Sequence, residues 1–187
     1  MCGIVGYIGR GIAQEPLIDG LRRLEYRGYD SAGVAFHEGS EFSMSRETGR
    51  VKNLANSVRK NSSSASVGIA HTRWATHGEV TVSNTHPHGS HDGKFVMVHN
   101  GVIENFGALK KFLSGKGIEF SSDTDSEVLC NLIAYHYSEL DESEDRFIEA
   151  VRTALPQCRG AYGIAVLCLD YPDTMTVSYT HLRAHET

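Results

Sequence analysis

Cys2 is the residue whose position packing alone explains least. It follows Met1 directly and precedes an apolar, glycine-spaced run, GIVGYIG. Once Met1 is removed, as expected before a small side chain, Cys2 carries a thiol and a free α-amine on one residue. An α-amine has a pKa of about 7.7–8.0, so part of it is neutral near pH 7 and can take the thiol proton directly or through one water. It can return that proton to a leaving group, and no histidine partner is needed. A retained Met1 would turn the amine into a non-basic amide. The bland alternative is an inert, frayed residue. The apolar strand that follows weighs against it, because a terminus tied into a core strand is held in place. A lipidation point is disfavoured, since no lipoprotein signal precedes it and myristoylation needs Met-Gly.

Other residue types suit the same kind of chemistry. Asn100-Gly101 ends the apolar run FVMVHN. A side-chain amide and a glycine N–H at one turn can aim two donors at a tetrahedral oxyanion. The same pair is equally a strong hairpin-turn signal. Arg73 ends VGIAHTR and offers a planar fork suited to a carboxylate, or is simply a solvated strand end. Asp125 stands where an acid is favoured by a helix dipole in any case. Gly28, after Arg27, fits ordinary helix C-cap chemistry. His86, His88 and His91 in HPHGSH can in principle ligate zinc. No cysteine or carboxylate joins them at a convincing spacing, so the expectation is no metal.

These residues need elements to position them. Strands are predicted at 3–9, over AGVAFH, at 67–73, over FVMVHN (95–100) and at 161–170. Helices are predicted at about 14–26, 51–60, 105–115, 124–138 and 143–155. Leu17, Leu21 and Leu24 recur at helical spacing, and Thr124…Glu127 stands in capping-box register. The tract NSSSAS reads as a loop, and the long polar segment from Thr76 to Lys94 as a lid or binding loop. Strands early and late, with helices between and no regular alternation, favour a mixed α+β domain with mostly antiparallel sheets.

Composition bounds the function classes. The 187 residues are 40% hydrophobic with a formal net charge of −5 and no dense basic run, so neither nucleic acid nor an anionic membrane is an expected partner. The run IAVLCL is too short to span a bilayer. Cys2, Cys130, Cys158 and Cys168 are scattered without a C-x-x-C pair, which suits a reducing cytoplasm. Cys130 and Cys168 lie in apolar runs and read as buried small hydrophobes.

Taken together, MCGIVGYIG, YRGYDSAG, HTRWATHG, VHNGVIEN and SDTDSEV resemble, in order and spacing, the glutaminase domains of the glucosamine-6-phosphate synthase family. These are class II glutamine amidotransferases with an N-terminal cysteine. The resemblance runs from Cys2 to about Thr174. It implies a four-layer αββα N-terminal-nucleophile sandwich, with two mostly antiparallel sheets between helix layers, over residues 2–175. It implies L-glutamine as substrate, Cys2, Asn100 and Gly101 as catalytic residues, and Arg73, Trp74, Thr76, His77 and Asp125 as substrate-binding residues. Arg73 would hold the α-carboxylate and Asp125 the ammonium, with Arg27 and Gly28 in support. No cofactor or metal is implied. Ammonia would pass to fructose 6-phosphate through sugar isomerase domains absent from this chain, in a homo-oligomeric cytoplasmic enzyme. Rival readings are a glutaminase serving a phosphoribosyl-pyrophosphate or asparagine-type acceptor, a silent glutamine-binding domain, and a histidine-loop metalloprotein. Residues 176–187 depart from the family pattern and read as an atypical tail, native or non-native.

Overall fold

The protein is described from a computed structural model that defines residues 2–74 and 79–179. Thr76 and His77 lie outside the described residues, as do Met1 and residues 180–187. Eight strands form two sheets among the described residues. The first contains β1 (Gly3–Ile8), β2 (Ser31–His37), β3 (Phe42–Thr48) and β4 (Val67–Arg73), in the order β1-β4-β2-β3. The second contains β5 (His88–Gly89), β6 (Phe95–Gly101), β7 (Tyr162–Cys168) and β8 (Met175–Tyr179), in sequence order. All these strand pairings are antiparallel.

Side-chain alternation along the strands builds three apolar layers. Helices α1 (Gln14–Leu24) and α2 (Val51–Lys60) cover the first sheet, burying Leu17, Leu21, Leu54 and Val58 against Val34 and Ala70. Helices α3 (Phe106–Ser114), α4 (Asp125–Glu139) and α5 (Arg146–Ala154) cover the second, packing Leu129, Ile133 and Phe147 against Phe95 and Met97. Between the sheets, Val67 and Ile69 of β4 meet Val96 and Val98 of β6. The layers therefore run helix, sheet, sheet, helix, as the resemblance implied.

Helix boundaries follow local chemistry. In α1 the apolar stripe is buried while Arg22 and Arg23 occupy the last turn, where cations suit the helix dipole. Thr124 caps α4 through its side-chain oxygen, which accepts from the Glu127 N–H at 3.2 Å. The Glu127 carboxylate does not complete the box. It accepts instead from the backbone N–H and hydroxyl groups of Ser121 and Ser122, at 2.6–2.8 Å.

Three elements differ from the sequence expectation. Strand β3 occupies a stretch for which no element was predicted, β5 is only two residues long, and β8 draws Thr176–Tyr179 of the atypical segment onto β7. The polar segment before β6 is also more than a surface lid: residues 84–88 are buried. Gly33 makes room for them. A Cβ there would lie 2.1 Å from the His86 carbonyl oxygen, so only glycine lets this backbone settle onto β2.

Candidate active site

The inter-sheet layer is apolar along most of its length and polar at one end, and strand periodicity places the candidate residues there. On β4, His71 and Arg73 continue the face begun by Val67 and Ile69. On β6, Asn100 continues the face of Val96 and Val98. Cys2 precedes Ile4, which packs against the same layer, by two residues. Three strand ends from two sheets thus deliver Cys2, Arg73 and Asn100 to one place, although about seventy and a hundred residues of chain separate them from the cysteine.

The contacts there are specific. The Trp74 backbone N–H donates to Cys2 Sγ at 3.2 Å. Asn100 Nδ2 donates to the Cys2 carbonyl at 3.1 Å, and Asn100 Oδ1 lies 2.8 Å from His71 Nε2. Gly101 has φ +122, and a Cβ there would come within 2.2 Å of the Ala161 carbonyl oxygen. The positive φ and the close approach both require glycine. The pair makes no hairpin, however: Asn100 and Gly101 end β6 opposite Gly163 and Tyr162 of β7, which leaves the donor reading of Asn-Gly.

Arg73 is buried, and its Nη1 donates to the Glu79 carbonyl at 3.3 Å. Asp125 opens α4, and its Oδ2 accepts from the Ile103 N–H at 2.8 Å. Gly28 caps a short 3₁₀ turn, Glu25–Arg27, and packs so tightly on the Arg73–Trp74 peptide that a Cβ would lie 2.8 Å from the Arg73 carbonyl carbon. Its capping and supporting readings are thus compatible. Arg27 closes that turn. Trp74 is 40% exposed at the rim, edge-on to Tyr29.

These residues enclose a cavity of about 390 Å³, lined by Cys2, Arg73, Trp74, Asn100, Gly101 and Asp125 among others. That volume falls within the small-molecule range of roughly 300–1,000 Å³. A larger cleft of about 640 Å³ beside the end of α3 has no cysteine or histidine in its lining, and its Lys110 is engaged by the Ser122 carbonyl and the Phe120 ring.

At the cavity wall and behind it lies a set of imidazoles that sequence reasoning did not assemble, with His86 and His99 in the lining. His86 Nε2 and His99 Nδ1 both contact Ser126 Oγ at 2.8 Å, and His88 Nε2 lies 3.2 Å from Thr124 Oγ1. Burial pushes the pKa of His71 down to about 4 and that of His88 to about 3, and it lowers His86 and His99 as well. All four are neutral at pH 7. His91 lies apart, exposed and bonded to Asn131. No group of three or more His, Cys, Asp or Glu among the described residues is arranged to hold a metal ion. Nor is any described helix long and apolar enough to cross a membrane.

Comparison with known proteins agrees with this geometry. Residues 56–141 match the family model described as a glutamine amidotransferase domain. The chain is 46% identical over 178 residues to a glutamine–fructose-6-phosphate aminotransferase [isomerizing] of Caldanaerobacter subterraneus, covering 95% of this chain and 28% of that protein. It is 49% identical to the protein of the same name from Symbiobacterium thermophilum, covering 92% of this chain and 27% of the relative. The chain thus spans under a third of the length of the curated relatives it matches. Among solved structures, the glutamine phosphoribosylpyrophosphate amidotransferase of B. subtilis superposes with a TM-score of 0.76 at 23% identity, over 96% of this chain and 37% of that one. That likeness speaks to the fold. By sequence, residues 56–141 of the chain belong to the glutamine amidotransferase domain family.

Proposed function

We propose that this chain hydrolyses L-glutamine to glutamate and ammonia through a thioester on Cys2. The thiolate attacks the side-chain amide carbon, and the C=O π pair moves onto oxygen. Asn100 Nδ2 and the Gly101 N–H stabilise that oxyanion, a contribution typically about 10²–10³ in rate per donor. The α-amine of Cys2, freed by removal of Met1, carries the thiol proton to the departing nitrogen, and the C–N bond breaks to release ammonia. Water then adds to the γ-glutamyl thioester, and collapse of the second tetrahedral species returns the thiol and glutamate.

In this reading Arg73 pairs with the substrate α-carboxylate and Asp125 with its ammonium, which fixes the amide over the sulfur. Trp74, Thr76 and His77 belong to the same binding loop, while Arg27 and Gly28 support the strand end beneath it. Residues 2–175 form the glutaminase unit. In the whole protein, ammonia passes to fructose 6-phosphate bound by sugar isomerase domains, as the names of the relatives suggest.

The observation that carries the reading is one cavity lined together by a thiol, an amide donor, a strand-end glycine, a guanidinium and a carboxylate. Cys2→Ala should abolish glutamine hydrolysis while leaving the unfolding midpoint and circular dichroism unchanged. Retained turnover in that variant sinks the assignment.

A further inference from the structure

His71 does not itself line the cavity, yet it bonds the amide on which the proposed chemistry depends. A carboxamide can be turned end over end at almost no steric cost, so something must specify which end points where. At Asn100, the Cys2 carbonyl is an acceptor and requires Nδ2 beside it, at 3.1 Å. Oδ1 therefore faces His71 Nε2 at 2.8 Å, and that nitrogen must carry the imidazole proton. The reversed amide would set oxygen against oxygen at Cys2.

The imidazole is well fixed for this task. His71 sits on β4 between Ile4 of β1 and Gly33 of β2, is 1% exposed, and has the His86 ring 4.2 Å from its own. Its Nδ1 makes no hydrogen bond. The nearby His99 carbonyl falls short of bonding geometry and offers a weaker place for the single proton.

We propose that His71 is a positioning residue: its Nε2–H locks the Asn100 carboxamide with Nδ2 toward Cys2. That nitrogen carries two hydrogens. The Cys2 carbonyl takes one, and the lock leaves the second at the cavity side. The inference rests on the proposed oxyanion role of Asn100, and its test separates the two.

The experiment measures kcat and KM for glutamine hydrolysis, with thermal midpoints, for His71→Ala, His71→Gln and His71→Asn. It includes Asn100→Ala and the double variant His71→Ala/Asn100→Ala. Glutamine presents an N–H near the reach of imidazole Nε2, whereas asparagine presents one only near Nδ1. The alanine and asparagine variants should lose about ten- to a hundredfold in kcat, less than the about 10²–10³ expected for losing the donor itself, with KM nearly unchanged. His71→Gln should recover to within about threefold of wild type, and in the Asn100→Ala background the His71 change should cost nothing further. Equal losses in both backgrounds, or glutamine no better than asparagine at similar midpoints, would overturn the proposal. Should His71→Ala fail to fold, the glutamine–asparagine contrast decides alone. If Asn100→Ala keeps the wild-type rate, the oxyanion reading falls and takes this inference with it. If Asn100→Ala is slow but His71→Ala is not, only the positioning role is lost.

Discussion

A thiol reacts according to what surrounds it, and this chain contains both cases. Burial pushes Cys158 up to about 11 and Cys168 to about 12, and raises Cys130 well above the ordinary thiol range. Those three stay protonated at neutral pH and pack as small hydrophobes. Cys2 stands at a cavity edge with a backbone N–H on its sulfur. The cation nearest the substrate's proposed carboxylate is equally specific. Arg73 is 7% exposed, and its planar fork can meet a carboxylate with two parallel hydrogen bonds. Lysine keeps the charge and loses the fork. Arg73→Lys should therefore raise KM for glutamine by roughly ten- to a hundredfold, the equivalent of one charge-assisted hydrogen bond. Its kcat should fall less. Steady-state kinetics with an unchanged KM would remove Arg73 from the carboxylate site.

At the scale of elements, the sequence was most legible where one periodicity dominated. VGIAHTR and the helix at Val51–Lys60 match their predicted bounds because apolar spacing and flanking turn residues agree. Strand β3, FSMSRET, was missed because it lies at a sheet edge, half-buried for most of its length, with apolar alternation confined to Phe42 and Met44. The two-residue β5 has no pattern at all. Cys2, Arg73, Asn100 and Asp125 were found from side-chain chemistry and family resemblance, and the structure brings them to one cavity. The cluster of His71, His86, His99 and Ser126 was missed, His86 having been weighed only as a metal ligand, because these residues meet only through tertiary packing of β4, β6, α4 and the segment before β5. One signal was available: His71 stands on the same strand face as Arg73, two residues earlier. The burial of residues 84–88 hangs on Gly33, whose meaning is invisible without its neighbour. Gly33→Ala should cost roughly 1–3 kcal/mol by overpacking against the His86 carbonyl, read as a lower urea midpoint. It should also reduce glutamine turnover, since His86 lines the cavity. A wild-type midpoint would show that the segment accommodates a methyl group freely.

For the whole molecule, the four-layer arrangement sets a stability cost beside the site. Two sheets and α4 enclose four imidazoles whose pKa values all lie below 6.5 in the folded state. The unfolded chain takes up protons on these groups below about pH 6.5, while the native protein resists until about pH 4 at His71 and about pH 3 at His88. Their contribution to stability is therefore full above pH 6.5 and is lost progressively as pH falls toward 4. At pH 5, unfolding should take up about one proton at each of His71 and His88, with further uptake at His86 and His99, measurable as the slope of unfolding free energy against pH. A flat profile between pH 7 and 5 would mean that these imidazoles are hydrated or already charged in the native state. The same architecture presents Cys2, immediately before strand β1, to a cavity formed by both sheets. The account turns on that residue acting as nucleophile with its own amine as base. The most direct measurement is intact-mass and peptide mapping after reaction with an electrophilic glutamine analogue. One adduct per chain is predicted, on Cys2, in molecules that have lost Met1, and glutamine should protect against it. Full glutamine turnover by chains that retain Met1, or an adduct elsewhere that abolishes activity while Cys2 stays free, would contradict it.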